Sequence, residues 1–119
     1  MAAPNLRFPS TITGKTVAYA VTTSLASVLS NGAASNKLLK INTIRCANVD
    51  AAAAASLDLS FYRGSTHTYL IKNVSIDAGK ALIVSDKNEY VYLEEGDAIY
   101  AKASLANDLE LTINYEEIS

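Results

Sequence analysis

One cysteine, one histidine and no tryptophan stand among the 119 residues. With Cys46 alone, an internal disulfide and a multi-cysteine metal site are both excluded. With His67 alone, a multi-histidine metal site is excluded too. A Ser-His-Asp arrangement through His67 stays formally open, but no GxSxG elbow accompanies it and THTY, residues 66–69, reads as strand. Charge is also scarce. Ten basic against twelve acidic side chains leave a net −2, too little of either sign to favour nucleic acid or an anionic membrane. No basic cluster exists, and Lys37 and Lys40 are the densest pair in the first half. No apolar run approaches membrane-spanning length, and MAAPNLRFPS lacks the apolar core of a signal peptide. The expectation is a chain made and folded in a cytoplasm, with no membrane partner. The GKT at residues 14–16 lacks the upstream half of a phosphate-binding loop, so no nucleotide or other cofactor is expected.

What is present is apolar and finely divided. Half of the residues are hydrophobic and 18% are charged, a balance that folds, and the length suits one domain with a proper core. Residues 1–14 carry both prolines, with Leu6, Phe8 and Ile12 spaced along a polar stretch, and read as an extended N-terminal arm before a domain over 15–119. In residues 16–22 Val17, Tyr19 and Val21 alternate as on one face of a strand. Leu25, Val28 and Leu29 fit a helical turn as well as a strand, and Asn31-Gly32 is a hairpin signal.

Residues 37–48 form a long apolar-rich strand with one irregularity. Leu39 and Ile41 share one parity, and Ile44 and Cys46 share the other. A strand changes faces only through a bulge or bend, so one is expected near Asn42 and Thr43. Beyond it, Leu57, Leu59 and Phe61 alternate against Asp58, Ser60 and Tyr62, and Arg63-Gly64-Ser65 turns into THTYLI. Further turns at 77–80, 94–97 and 107–108 separate short strands. Ile99, Ala101, Ala103 and Leu105 read as inward, as do Leu109, Leu111, Ile113 and Tyr115. About eight short strands with regular turn signals and no long helix predict an all-β fold. It is an antiparallel β-sandwich or jelly roll, with a closed small barrel as the alternative.

The five alanines of NVDAAAAASLDLSFYRG pose a local choice. A helix capped by Asp50 would have to end before Leu57, about two turns, and helices so short are marginal without a packed apolar face. A small-residue loop between strands is the better reading, and Ala51, Ala53 and Ala55 become candidate contacts because short side chains let a neighbour approach closely.

Two further features invite a site. Asp86, Glu89, Glu94, Glu95 and Asp97 put five carboxylates within twelve residues. Calcium takes such oxygen ligands, but EF-hand spacing is missing and EEGD also reads as an acidic turn with Gly96 at positive φ. A carboxylate pair for glycoside hydrolysis would need a cleft that a small sandwich rarely provides. The seven tyrosines are the second feature. Tyr62, Tyr90, Tyr92 and Tyr100 fall opposite or next to the inward parity, where they suit a protein interface better than a sugar platform. An arm with Leu6, Phe8 and Ile12 has no evident place in a closed core of its own, so assembly into a symmetric oligomer or lattice is expected.

Four stretches carry a resemblance: ITGKTVAYAVTTS (12–24), LLKINTIRCANVD (38–50), VSIDAGKAL (74–82) and YLEEGDAIYAKASLANDLELTINYEEIS (92–119). Together they resemble small virion structural proteins of tailed bacteriophages, particularly those of cyanobacteria and other marine bacteria. The acidic Gly-Asp turn, Ala-rich turn and final strand ending in Glu-Ile-Ser are the most specific part. The resemblance implies location in a virion, a β-sandwich and no active site, with phage capsid or tail proteins as partners; for the homo-oligomer that the arm suggests, a trimer is the guess. A capsid decoration (cement) protein is the first expectation. A neck, tail or fibre component is the alternative, and a carbohydrate-binding module lies outside that class.

Overall fold

A computed structural model describes residues 4–119. Nine strands follow one another: β1 (Ile12–Ala20), β2 (Ala26–Ser30), β3 (Leu38–Asn48), β4 (Ala55–Arg63), β5 (Thr66–Ile76), β6 (Ala81–Ser85), β7 (Val91–Leu93), β8 (Ala98–Ala103) and β9 (Leu109–Ile118). A single 3-10 turn, Lys87–Glu89, separates β6 from β7. One antiparallel sheet has the order β1-β9-β3-β6, with β7 also paired to β3, and the other runs β2-β8-β4-β5.

This order is a long hairpin rolled up. Folding the chain back at Gly64-Ser65 pairs β4 with β5, β3 with β6 and β7, β2 with β8 and β1 with β9. The result is a jelly roll of two stacked sheets, not a closed barrel. Its central turn is chemically specified: Gly64 and Ser65 have φ of 58° and 62°, the two left-handed positions that a hairpin matched to strand twist requires.

The core lies between the sheets. Leu39, Ile41, Ile44 and Cys46 of β3 meet Leu57 and Leu59 of β4, Ile99 of β8 and Leu109, Leu111 and Ile113 of β9, all buried. Each such aliphatic side chain contributes about 1.5–3 kcal/mol when removed from water. Both parities of β3 reach this core because the ladder to β9 shifts between Ile41 and Thr43, leaving Asn42 as the extra residue. The edge strand breaks at the same level. β7 pairs with β3 up to Ile41, β6 pairs from Ile44 onward, and the 3-10 turn fills the gap between them.

Several expectations need correction. The arm is shorter than residues 1–14, because Ile12, Thr13 and Gly14 pair with Ile118, Glu117 and Glu116 in the sheet; residues 1–3 of the expected arm lie outside the described residues. Asn31-Gly32 is not a hairpin turn, since β2 and β3 belong to different sheets. Asn31 is buried and bridges them instead, as described below. The ambiguous segment around Val28 and Leu29 is strand. Leu105 is exposed, because β8 ends at Ala103 and the chain has already turned away. Ala55 is 2% exposed: it opens β4 inside the core and cannot be a contact residue.

Candidate interaction surfaces

The strand directions sort every connection but that between β6 and β7 to one end of the sandwich or the other. At one end lie the arm, the C-terminus, the β2–β3 loop, the Gly64-Ser65 turn and the β7–β8 turn. At the other lie the alanine loop, the β1–β2 and β8–β9 connections and the β5–β6 turn. The expected interface residues are therefore divided. Leu6, Phe8 and Ile12 sit at one end of a molecule 48 Å long, and Ala51 and Ala53 at the other.

The arm end is braced from within. Asn31 donates through Nδ2 to the carbonyls of Lys37 and Leu93, and its own backbone bonds Asp97 and Gly96. Arg63 grips the acidic turn through a forked pair, Nε to Asp97 Oδ1 at 2.8 Å and Nη2 to Asp97 Oδ2 at 2.6 Å, with Nη2 also 2.6 Å from Glu94 Oε2. Asp97 also accepts the Glu94 backbone N–H, which closes the turn. Two members of the acidic cluster are thus spent on an arginine. Among the described residues no group of three His, Cys, Asp or Glu side chains comes together as a metal site.

On this frame the arm is held at its base and free in its side chains. Ser10 and Thr11 donate to the Ser119 carbonyl, and Ser119 donates back to Thr11. A turn closed by Phe8 N–H to the Asn5 carbonyl then presents Leu6 and Phe8, 48% and 74% exposed. Arg7 lies over the Phe8 ring, 5.5 Å from its centroid.

The alanine end is ordered by polar anchors and smooth outside. Asn48, buried, donates through Nδ2 to the carbonyls of Ala53 and Ile76, and its Oδ1 accepts the Asp50 N–H. Asp50 in turn accepts the N–H groups of Ala52 and Ala53. These backbone donors, Ala53 first, hold the Asp50 carboxyl below the ordinary range. The capping chemistry expected of Asp50 is present, but it closes a loop and not a helix. Residues 51–54 expose only methyl groups and backbone.

The tyrosines are on opposite outer faces. Tyr62 packs with His67 and Tyr100 on the β2-β8-β4-β5 sheet, ring centroids 4.6–5.0 Å apart. Ser60, flanked across the ladders by Tyr69 and Tyr100, lies 2.9 Å from His67 Nδ1 yet is fully buried. A nucleophile so covered meets no substrate, and the pair reads as packing. Tyr90 and Tyr92 lie on the other sheet, edge to face at 5.4 Å, with Lys40 Nζ 4.7 Å from the Tyr90 centroid.

A further surface was marked in the sequence only by Tyr90. Tyr69, Leu70, Ile83 and Tyr90 are exposed along the flank where β5 and β6 end the two sheets. The signal was the consecutive apolar runs YLI and LIV, which are too dense for strands with a single buried face. No protein-family model and no curated protein matches the chain.

Proposed function

We propose that this protein is a non-enzymatic structural component of a tailed-phage virion, a decoration protein that joins neighbouring subunits of the head shell. The observation that carries the reading is the exposed Leu6 and Phe8 on an arm anchored at its base to Ser119. Exposed aromatic and aliphatic side chains on a tethered segment gain free energy only when another molecule covers them. The methyl-lined loop at residues 51–54 supplies a second, closely approachable contact at the opposite end, so one molecule spans two neighbours. At about 25 cal/mol per Å² of apolar area, small contacts repeated over a shell add up even after the association cost of each. The jelly roll agrees with this role, being a fold common among capsid domains.

A sugar-binding reading is weaker. Its tyrosines are divided between two faces, and the Tyr62 ring is engaged with His67 and Tyr100.

Adding the purified protein to heads that lack it tests the proposal. The temperature at which those heads release DNA should rise with added protein up to saturation. Heads that release DNA at an unchanged temperature contradict it.

A further inference from the structure

The outer edges of β5 and of β6 with β7 have no strand partner among the described residues. Between these edges Leu70, Val84, Ser85, Glu89 and Val91 line a shallow cleft of about 180 Å³. Its lining is mostly apolar, and Glu89 is its one charged member. Glu89 is in no ion pair with a described residue. The cleft thus suits an apolar side chain carried beside a positive charge.

The arm holds both. Phe8 is the most exposed large hydrophobic side chain among the described residues, Leu6 is half exposed, and Arg7 between them is in no ion pair with a described residue. The arm leaves its own molecule beside β1, at the opposite edge of the sheet from β6 and β7, with β9 and β3 between. Three strand spacings put those edges about 14 Å apart, and the base of the arm is tied to Ser119.

We infer that the arm of one copy docks on the β5–β6 flank of a second copy, with Phe8 seated against Leu70 and Arg7 paired with Glu89. The inference rests on the proposed structural role and assigns the arm to a neighbouring copy, which leaves the methyl-lined loop at residues 51–54 as the contact with the shell. The contact is heterologous, arm to flank, so repetition closes into a ring or continues as a chain.

Light scattering of the full chain over a concentration series tests it, with Arg7→Glu, Glu89→Arg and the double variant beside the parent. The parent should associate, each single change should weaken association about tenfold, and the double variant should recover most of the loss, the signature of a direct pair. Leu70→Asp should abolish association while the far-ultraviolet spectrum stays that of a β protein. A parent that stays monomeric throughout overturns the inference, as does a double variant no better than the singles. Association that survives deletion of residues 1–10 but fails in Leu70→Asp would mean flank-to-flank pairing, and also overturns it. Failure here leaves the head-binding result untouched: a monomer that still stabilises heads removes this contact and keeps the proposed function.

Discussion

Arg63, the last residue of β4, and Asp97, which precedes β8, are joined by two parallel hydrogen bonds that lock the turn of one hairpin to the turn between the sheets. The Asp97 side chain is 3% exposed while that of Arg63 is 52% exposed, so the carboxylate is buried and the cation half wet. Asp97, followed by the Glu94 carboxylate, holds Arg63 protonated even more firmly than usual.

Removing Arg63 leaves that carboxylate with only a backbone N–H. Arg63→Ala should cost about 1–3 kcal/mol in urea unfolding, the exposure of the arginine keeping it below the cost of breaking a fully buried pair. Arg63→Lys should recover part of this, because an ammonium keeps the charge and loses the fork. Equal stability of all three proteins would show that the pair contributes nothing.

Asn42 tests the bulge. Deleting it joins Ile41 to Thr43 and turns Leu39 and Ile41 to the solvent face, so the loss should exceed about 4 kcal/mol or prevent folding. Asn42→Ala keeps the backbone residue and loses only its bond to Glu116, costing about 1 kcal/mol or less. Similar unfolding midpoints for the two variants would contradict this account of β3.

Glu117 bridges Lys37 at 2.8 Å and Lys15 at 3.1 Å near the base of the arm, and these contacts, Lys37 first, hold its carboxyl below the ordinary range. A depressed carboxyl stabilises the fold above its unfolded value of about 4.3, and that share is lost as pH falls through the folded value. The stability gap between the parent and Glu117→Gln should therefore be constant near neutrality and shrink below about pH 4.3. A gap independent of pH in acid would exclude the charge as its cause.

Much of the fold was legible in the residues for a physical reason. Alternation in β9 and the parity switch in β3 are direct images of which side chains meet the core, and both appear as read. The errors came where a local signal has two meanings. Asn31-Gly32 looks like a hairpin, but the asparagine is buried and bridges two sheets, and that depends on pairing partners far along the chain. Ala55 looked like its neighbours, yet the strand begins there and buries it. Ile12 looked like part of the arm because the strand that captures it, β9, is the last in the chain. The candidate surface was partly legible. Leu6 and Phe8 stood out as apolar residues without a core, whereas the flank around Leu70 needed the two sheet edges brought together.

The proposed function makes this chain a repeated component of a phage head, and copy number in purified particles tests it most directly. Quantitative densitometry of heads and tails separated from intact virions should find hundreds of copies, all with the heads. A few tens of copies remaining with necks or tails, or none in the particle, would contradict the account.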